Sequence, residues 1–380
     1  MIDYYTKNPL LSLMDTDEAK GRNFSGTLGL EWDIIKGLTF RTSGTVQYNV
    51  NKYNTYTIAW YDGAESSASV SKNESYTYMW DNTLNYVNTW KKHSLVGLVG
   101  FSIEKYESDG LKASGSGFPD DQVLTNLNSA AKKNSISSSY SSNTLASFLS
   151  RLEYKFNNRY LLTLNFRADG SSQFGPDKRW GYFQAFSLGW VMSDEVWFKN
   201  LVNPNIVNMI KLRGGFGLVG NEVGSPFSFL TQYAQSSNRI LFGENMASNV
   251  GWYESDVANN LQWSSSKQYG IGLDFGFLKD RLTGSFDTFL YLNKGDVMDM
   301  TDDMIRVDIL GMPNTPKINA PYTTSRKGGF EVSLNWQDKI GKVGYRVGVN
   351  YSYWDERVTR HSSSDSDWWT PTFDNLSLIH

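Results

Sequence analysis

Few residues in this 380-residue sequence could carry out covalent or metal chemistry. The sequence contains no cysteine, which excludes disulfides, thiol nucleophiles and cysteine-ligated metals together. Its three histidines are widely separated, so no histidine metal cluster is visible. The acid pairs Asp120-Asp121 and Asp302-Asp303 could serve as calcium ligands or glycosidase carboxylates. Their spacing fixes no geometry, however, and solvated loops are the simpler interpretation.

The glycine-rich run 214–220 superficially resembles a phosphate-binding loop. It lies within an alternating apolar and polar pattern, so we interpret it as a strand with little side-chain bulk. No P-loop, dinucleotide-binding fingerprint, nucleophile elbow or metal-binding helix motif is present. The sequence therefore predicts no catalytic residue, no metal site and no cofactor, and it argues against an enzyme.

Composition makes two further points. The net charge of −3 gives no basic excess that would indicate a nucleic-acid partner. The chain is aromatic (13 Trp, 22 Tyr and 21 Phe) yet polar, with a mean hydropathy of −0.44. It has no long apolar run, so we expect no membrane-spanning helix. Because the chain as a whole is polar, its many aromatic residues must be concentrated at particular positions in the fold.

Alternation of apolar and polar residues with a period of two is the dominant pattern, and it indicates strands with one apolar face. Clear examples occur at 24–32, 38–50, 160–169, 268–277, 330–337 and 343–353. We predict about twelve such strands, most of them about 10–13 residues long. Soluble strands usually have about 5–6 residues, whereas tilted membrane-spanning strands have about 9–11.

Short and long connections largely alternate between these strands. Short connections are predicted at 35–37, 91–92, 157–159, 279–280 and 338–342. Long connections are predicted at 51–75, 107–144, 220–266 and 293–327. The segment 192–208 fits less well, because it is longer than the other turns on its side. Outer-membrane barrels have this asymmetry, with short periplasmic turns and long extracellular loops.

Aromatic residues cluster at the strand ends beside the short connections. The set consists of Trp32, Trp90, Phe156, Tyr160, Trp190, Phe277, Phe286, Trp336 and Tyr345. Such a set is typical of the aromatic girdle at a membrane interface. Charged residues such as Lys211 and Arg213 share the opposite strand face, which would line a lumen. The alternative is a large soluble β-domain whose core these rings cap. We predict an all-β fold, an antiparallel transmembrane β-barrel with long extracellular loops and short periplasmic turns.

The most specific stretch of the sequence is 158–175, NRYLLTLNFRADGSSQFG. It is followed by 179–183 (RWGYF), 187–190 (SLGW), 211–217 (KLRGGFG) and 273–278 (LDFGFL). In composition and order these motifs closely resemble the SusC/RagA family of TonB-dependent outer-membrane transporters. The resemblance spans nearly the whole chain.

The resemblance implies active import of a glycan or peptide across the outer membrane of a Gram-negative, Bacteroidetes-like bacterium. It also implies contact with outer-membrane lipid and two partners, a SusD-like surface lipoprotein and the TonB complex acting through a plug domain. No counterpart of the family's signal peptide, N-terminal domain or plug is found in 1–380. About twelve strands are also fewer than the roughly 22 of plugged transporters. We therefore expect 1–380 to be an internal part of the barrel domain.

Two aromatic pairs in the predicted long loops are candidate substrate contacts. They are Trp60, Tyr61, Trp252 and Tyr253. An exposed ring can bury the apolar face of a sugar, although the same residues could instead pack the loops together or against the lipoprotein. Two other functions remain open: a passive porin without a plug, and a secreted carbohydrate-binding or adhesin β-protein.

Overall fold

The computed structural model describes residues 9–61, 63–119, 124–230, 232–242, 247–256, 261–299, 317–320 and 322–359. The strands, in chain order, are β1 (Thr16–Ile35), β2 (Leu38–Thr57), β3 (Ser67–Trp90), β4 (His93–Ser116), β5 (Lys132–Phe156), β6 (Tyr160–Ser171), β7 (Trp180–Val191), β8 (Val207–Asn221), β9 (Gln232–Phe242), β10 (Ala247–Asp256), β11 (Ser264–Phe277), β12 (Leu282–Lys294), β13 (Val297–Asp299), β14 (Lys317–Asn319), β15 (Thr323–Ile340) and β16 (Val343–Val358). The α-helices are α1 (Pro9–Ser12) and α2 (Val196–Leu201), and short 3₁₀ turns occur at Leu127–Ser129, Pro176–Lys178 and Met192–Asp194.

Twelve of the strands form one antiparallel sheet in the order β1-β2-β3-β4-β5-β6-β7-β8-β11-β12-β15-β16. The pairs β9–β10 and β13–β14 form separate two-stranded sheets. The predicted all-β class and the predicted number of strands are confirmed. No helix in the described part of the chain is long and apolar enough to cross a membrane.

Contacts divide the chain into two compact units. The first unit comprises the described residues up to Leu30 together with Thr42–Asp81 and Ser102–Leu145. The second unit comprises Glu31–Arg41, Asn82–Phe101 and the described residues from Ala146 onward. The second unit contains the whole of β6, β7, β8, β11, β12, β15 and β16.

The short connections are tight turns built on left-handed backbone. Asn157 and Asn158 have φ values of 54° and 55°, as a two-residue hairpin turn with both central residues at positive φ requires. Asparagine tolerates this conformation better than most residues. Gly37, with φ 82°, turns the chain between β1 and β2, where a β-carbon would collide with the carbonyl of Val87. These turns define the short-turn end of the sheet, and the opposite end is the long-connection end.

The predicted bounds of the first two long connections are wrong, whereas the main-sheet strand ends at Asn221 and Ser264 and at Lys294 and Thr323 agree closely with the predicted 220–266 and 293–327. β2 continues to Thr57 and β3 begins at Ser67, so most of 51–75 is strand, and the same holds for 107–144 between β4 and β5. The strands β1 to β5 accordingly have 20–25 residues, longer than predicted. The reason is that backbone pairing continues into sequence that is mostly polar, where no apolar alternation marks the strand.

The apolar faces of the strands point away from any protein core. Leu28, Ile271 and Val347 are 85%, 67% and 56% exposed. Among the described residues, the buried hydrophobic side chains form only a short list: Tyr56, Ala68, Phe118, Ala130, Ala168, Phe174, Leu261 and Ala320. Rows of exposed leucine, valine and aromatic side chains are the reverse of a soluble protein and indicate a face that meets lipid.

Candidate functional site

A charged network crosses three strands on the polar face of the second unit. Arg213 of β8 donates to Asp274 of β11 at 2.9 and 2.7 Å and to Asp287 of β12 at 2.9 and 3.2 Å. Lys211 lies 3.8 Å from Asp274. Gly272 lies between Arg213 and Asp287 in the strand register, and a β-carbon there would be 3.0 Å from the guanidinium carbon of Arg213. The missing side chain lets the arginine reach across to Asp287.

The network borders a concavity of about 780 Å³ on the same face. Aromatic groups lie on its other side, where the rings of Phe289 and Tyr291 are 5.1 Å apart. Lys327 Nζ is 3.8 Å from the ring centre of Trp354. This wall offers hydrogen-bond donors, acceptors and ring faces to a polar solute. Sequence reasoning placed Lys211 and Arg213 on this face, but it missed Asp287, Lys327 and Trp354.

Replacement of Arg213 by alanine is expected to lower the free energy of unfolding of the receptor by about 1–2 kcal/mol. This value is reduced because the Arg213 side chain is partly exposed. Asp274 and Asp287 would face each other without the cation that joins their strands. Arg213→Lys should recover only part of the loss, since an ammonium cannot bridge both carboxylates as the planar guanidinium does. Denaturant unfolding of the full-length receptor in detergent measures the difference. Equal stability of the wild type and Arg213→Ala would contradict the prediction.

The connection between β6 and β7, residues 172–179, folds back onto the sheet. Its anchor is Phe174, which has no exposed surface and lies 5.3 Å from the ring of Trp263. Trp263 packs edge-on against Phe183 at 5.4 Å and donates from Nε1 to the carbonyl of Arg179 at 2.8 Å. Arg179 in turn donates to the carbonyl of Phe174 at 3.3 Å. We call residues 172–179 with Trp263 and Phe183 the folded-back loop.

A small residue of β8 makes room for this packing, and polar residues of β6 lie next to it. A β-carbon at Gly220 would collide with the ring of Phe183. Asp169 is 6% exposed, and both of its carboxylate oxygens lie 2.7 Å from Nε of Arg167. Ser171, fully buried, donates to Glu222. Within the RADGSSQFG signature, Ser171, Gln173 and Phe174 make the contacts that hold the folded-back loop.

Trp60 and Tyr61 lie in the connection between β2 and β3 in the first unit. Their rings meet edge to face at 5.0 Å, and Tyr61 is 60% exposed while Trp60 is half-buried. Tyr56, near the end of β2, supports the connection by packing on Phe118 at 5.5 Å. The amide of Gly117 also donates to the carbonyl of Ser66 at 3.0 Å. The structure thus presents this predicted pair on an ordered support.

A carboxylate joins the two connections of the first unit. Ser116 Oγ donates to Glu65 at 2.9 Å, and Lys132 forms an ion pair with the same carboxylate. The hydrogen bond from Lys132, followed by that from Ser116, lowers the pKa of Glu65. The carboxylate therefore stays ionised, and the two connections stay joined, at mildly acidic pH.

Trp252 and Tyr253 lie in β10 of the second unit. In the register of the β9–β10 hairpin they stand opposite Gln235 and Ala234, and a register shift separates Val250 from Trp252. Their side chains lie outside the described part of the structure. The two predicted pairs therefore belong to different units of the chain.

At the short-turn end, Glu195 holds the connection between β7 and β8 in place. It is 9% exposed and accepts hydrogen bonds from Tyr160 Oη at 2.6 Å, Trp190 Nε1 at 3.2 Å and Arg159 Nη1 at 3.2 Å. The hydrogen bonds from Tyr160 and Trp190, with the charge of Arg159, hold the pKa of Glu195 below its ordinary value. We call Glu195 with these three donors the Glu195 clamp. Sequence reasoning identified Tyr160 and Trp190 as girdle residues but missed Glu195.

The predicted girdle residues lie at strand ends. Trp90 and Phe156 are the last residues of β3 and β5, and Tyr160 is the first of β6. Trp336 and Tyr345 approach each other across the β15–β16 turn, where Trp336 Nε1 is 3.3 Å from Tyr345 Oη. Aromatic side chains with a polar tip at the ends of apolar strands suit a membrane–water interface.

The family model described as "TonB dependent receptor-like, beta-barrel" matches residues 2–376. The chain belongs to the TonB-dependent receptor β-barrel family. This family resides in the outer membrane and consists of receptors and transporters. The sequence resemblance to SusC/RagA transporters is confirmed at this level, and the short-turn end is accordingly the periplasmic end.

Two curated relatives are similar in sequence. TonB-dependent receptor P39 of Formosa agariphila is 27% identical over 371 residues, which is 95% of this chain and 34% of the relative. TonB-dependent receptor SusC of Bacteroides thetaiotaomicron is 32% identical over 244 residues, which is 62% of this chain and 23% of the relative. The chain spans about a third or less of the length of these curated relatives.

Solved structures share the fold. The RagAB peptide importer in its "open-open" state aligns with a TM-score of 0.81 at 19% identity, covering 96% of this chain and 39% of that one. The siderophore receptor PiuA from Acinetobacter baumannii aligns with a TM-score of 0.53 at 16% identity, covering 93% and 49%. At these identities the likeness concerns the fold of the receptor barrel alone.

Proposed function

We propose that this chain forms part of the wall of a TonB-dependent importer that takes up a glycan or peptide nutrient. The observation that carries the proposal is the sheet itself, with an exposed apolar face and a charged opposite face around Arg213. The family match supports the same function. In the receptor, the rest of a 22-stranded barrel and the plug would come from outside 1–380. The coverage of only 34% and 23% of the relatives supports this domain assignment.

The proposed partners are a SusD-like surface lipoprotein at the extracellular loops and the TonB complex acting through the plug. Support for the lipoprotein comes from the ordered connections of the first unit, which present an aromatic pair on a fixed base. Support for energy coupling comes from the family. Two observations support the proposed substrate classes. Ring faces suit sugars, and the solved RagAB structure is named a peptide importer.

Energy dependence tests the function. Cells that carry the full-length receptor should accumulate labelled oligosaccharides or oligopeptides, and this uptake should stop when TonB is removed. A passive porin would keep conducting without TonB, because diffusion through an open lumen needs no energy. If uptake persists in the strain that lacks TonB, the importer is wrong and the passive porin is the correct function. If the full-length receptor is soluble without detergent, the importer and the porin are both wrong and the secreted adhesin remains.

Removal of the first aromatic pair tests the proposed substrate contacts. The variant Trp60→Ala/Tyr61→Ala is expected to weaken substrate binding by about tenfold, because an aromatic contact contributes about 0.5–1.5 kcal/mol beyond its buried area. Binding is measured by calorimetry on the full-length receptor with its lipoprotein. Tyr53→Ala, at a 44% exposed tyrosine of β2, is the matched control and should leave affinity unchanged. Unchanged affinity in the double variant would remove Trp60 and Tyr61 from the site.

A further inference from the structure

An apolar groove of about 710 Å³ lies on the outer, lipid-facing side of the second unit. It runs across β6, β7, β8 and β11 and has Gly214 at its floor. The walls are the side chains of Tyr160, Leu162, Leu188, Trp190, Leu212 and Ile271. Leu188 and Ile271, which flank Gly214 in the strand register, are 55% and 67% exposed. The groove is therefore a slot between the projecting side chains of Leu188 and Ile271, and its width is that of the side chain that Gly214 lacks.

The glycine at 214 is required by neither its backbone nor its neighbours. Gly214 has no positive φ, and a β-carbon there would meet nothing nearer than the carbonyl of Gly270 at 3.9 Å. Gly220 and Gly272 differ, because a β-carbon at either would collide with a neighbouring side chain. A glycine inside a strand weakens the strand and often marks a bulge, a tight bend or a place where a ligand approaches closely, and the pairing of Gly214 with Leu188 and Ile271 shows no register shift. The open space above Gly214 thus points to an occupant.

The periplasmic end of the groove is held rigidly. Tyr160 and Trp190 form that end, and both donate to the same oxygen of Glu195. These hydrogen bonds fix the two rings, so the slot exists before anything enters it. The rings belong to the aromatic girdle, which lies at the level of lipid headgroups. A chain that rises from this level into the membrane would follow the slot.

The apolar surface continues onto the connection that the Glu195 clamp holds. Trp197 lies 6.5 Å from Trp190 and is 47% exposed, and Leu201 is 77% exposed. Lys199 is on the same short helix, where its long stem can lie along apolar surface while its ammonium, which pairs with Asp194 at 2.9 Å, stays exposed. Exposed apolar side chains beside a basic one suit the interface of a lipid leaflet.

We propose that the groove above Gly214 binds one acyl chain of a glycerophospholipid of the periplasmic leaflet. The occupant follows from position, since the groove is part of the lipid-facing surface and opens at the girdle. It also follows from shape, because a slot one side chain wide accepts a linear hydrocarbon. The glycerol and headgroup then rest beside Trp197 and Leu201 of α2. Lipid at this site is held individually rather than as part of the exchanging lipid shell.

Native mass spectrometry of the full-length receptor, incubated with phosphatidylethanolamine in detergent, tests the proposal. The wild type is expected to keep one phospholipid adduct at collision energies that strip the rest, and Gly214→Phe is expected to lose it because the ring fills the slot. Phenylalanine is compatible with a strand, so the variant should fold. Leu188→Ala, which removes one wall at an exposed position, should also reduce the retained adduct.

Gly44→Phe is the matched control. Gly44 lies on the apolar face of β2, and a β-carbon there would meet nothing within 4 Å. An adduct retained by Gly214→Phe, or lost equally in Gly44→Phe, would overturn the proposal. A retained adduct with the mass of lipopolysaccharide would overturn the choice of leaflet. The measurement reports lipid binding to a folded receptor, so its result is independent of whether the receptor imports a glycan or a peptide.

Discussion

Phe174→Ala is expected to detach the folded-back loop from the extracellular end of the second unit, at a cost of about 3–5 kcal/mol. The reason is that Phe174 has no exposed surface and is the side chain on which Trp263 rests. Its removal leaves a cavity against Trp263, whose hydrogen bond to the carbonyl of Arg179 then loses its support. The loop should open locally while the strands stay paired.

Hydrogen exchange of the full-length receptor measures this opening. The amide of Ser171 donates to the carbonyl of Arg179 at 3.1 Å, and the amide of Lys178 donates to the carbonyl of Gly175 at 2.9 Å. Peptides that cover 171–179 should exchange far faster in Phe174→Ala, whereas those within β7 should not. The control is Phe227→Ala, which removes the same ring from a 40% exposed position. Equal exchange in the wild type and Phe174→Ala would refute the role of the buried ring.

The course of the strands could be predicted from the sequence because alternation and turn chemistry act locally. Asn157 and Asn158 tolerate the left-handed backbone that a tight turn needs, and the apolar rows on either side fix which face meets lipid. The far ends of β2 to β5 could not be predicted, because their residues are polar on both faces. Strand pairing there depends on the neighbouring strand rather than on the residues themselves.

The site could be predicted only in outline, because its parts meet across strands that are distant in sequence. The signal for Lys211 and Arg213 was local, a pair of basic residues on one strand face. Their partner Asp287 is 74 residues from Arg213, and nothing in the spacing connects the two. Phe174 shows the same limit, since a phenylalanine in a polar turn reads as exposed until Trp263, far along the chain, covers it.

The glycines show how one residue type serves three purposes that no sequence pattern separates. Gly272 gives space to the Arg213–Asp287 pair, Gly220 gives space to Phe183, and Gly214 leaves an empty slot on the lipid side. In the sequence, Gly214 and Gly220 belong to one glycine-rich run. The alternation places them on the same face, and only their neighbours distinguish a position that packing demands from one that it leaves open.

Glu195→Ala is expected to release α2 and the 192–206 connection from the periplasmic end of the barrel. The substitution leaves Tyr160, Trp190 and Arg159 without their common acceptor, which is itself only 9% exposed. Glu195→Gln should be less damaging, because its amide oxygen can still accept a hydrogen bond. Exchange of the 195–202 amides and protease cleavage in 192–206 measure the release. Asp194→Asn, which breaks an exposed ion pair with Lys199, is the control and should change little.

The same carboxylate makes the clamp depend on pH in a defined direction. The pKa of Glu195 is lower in the folded receptor than in the unfolded chain, so its ionisation stabilises the fold above the unfolded pKa. As pH falls, the wild type should lose this contribution progressively, and the loss is complete only below the lowered folded value. Glu195→Gln carries no ionisable group at this position, so its connection should open to a similar extent across that acidic range. A wild-type receptor whose 192–206 connection exchanged equally at neutral and strongly acidic pH, after correction for the intrinsic exchange rate, would show that Tyr160, Trp190 and Arg159 do not depend on the charge of Glu195.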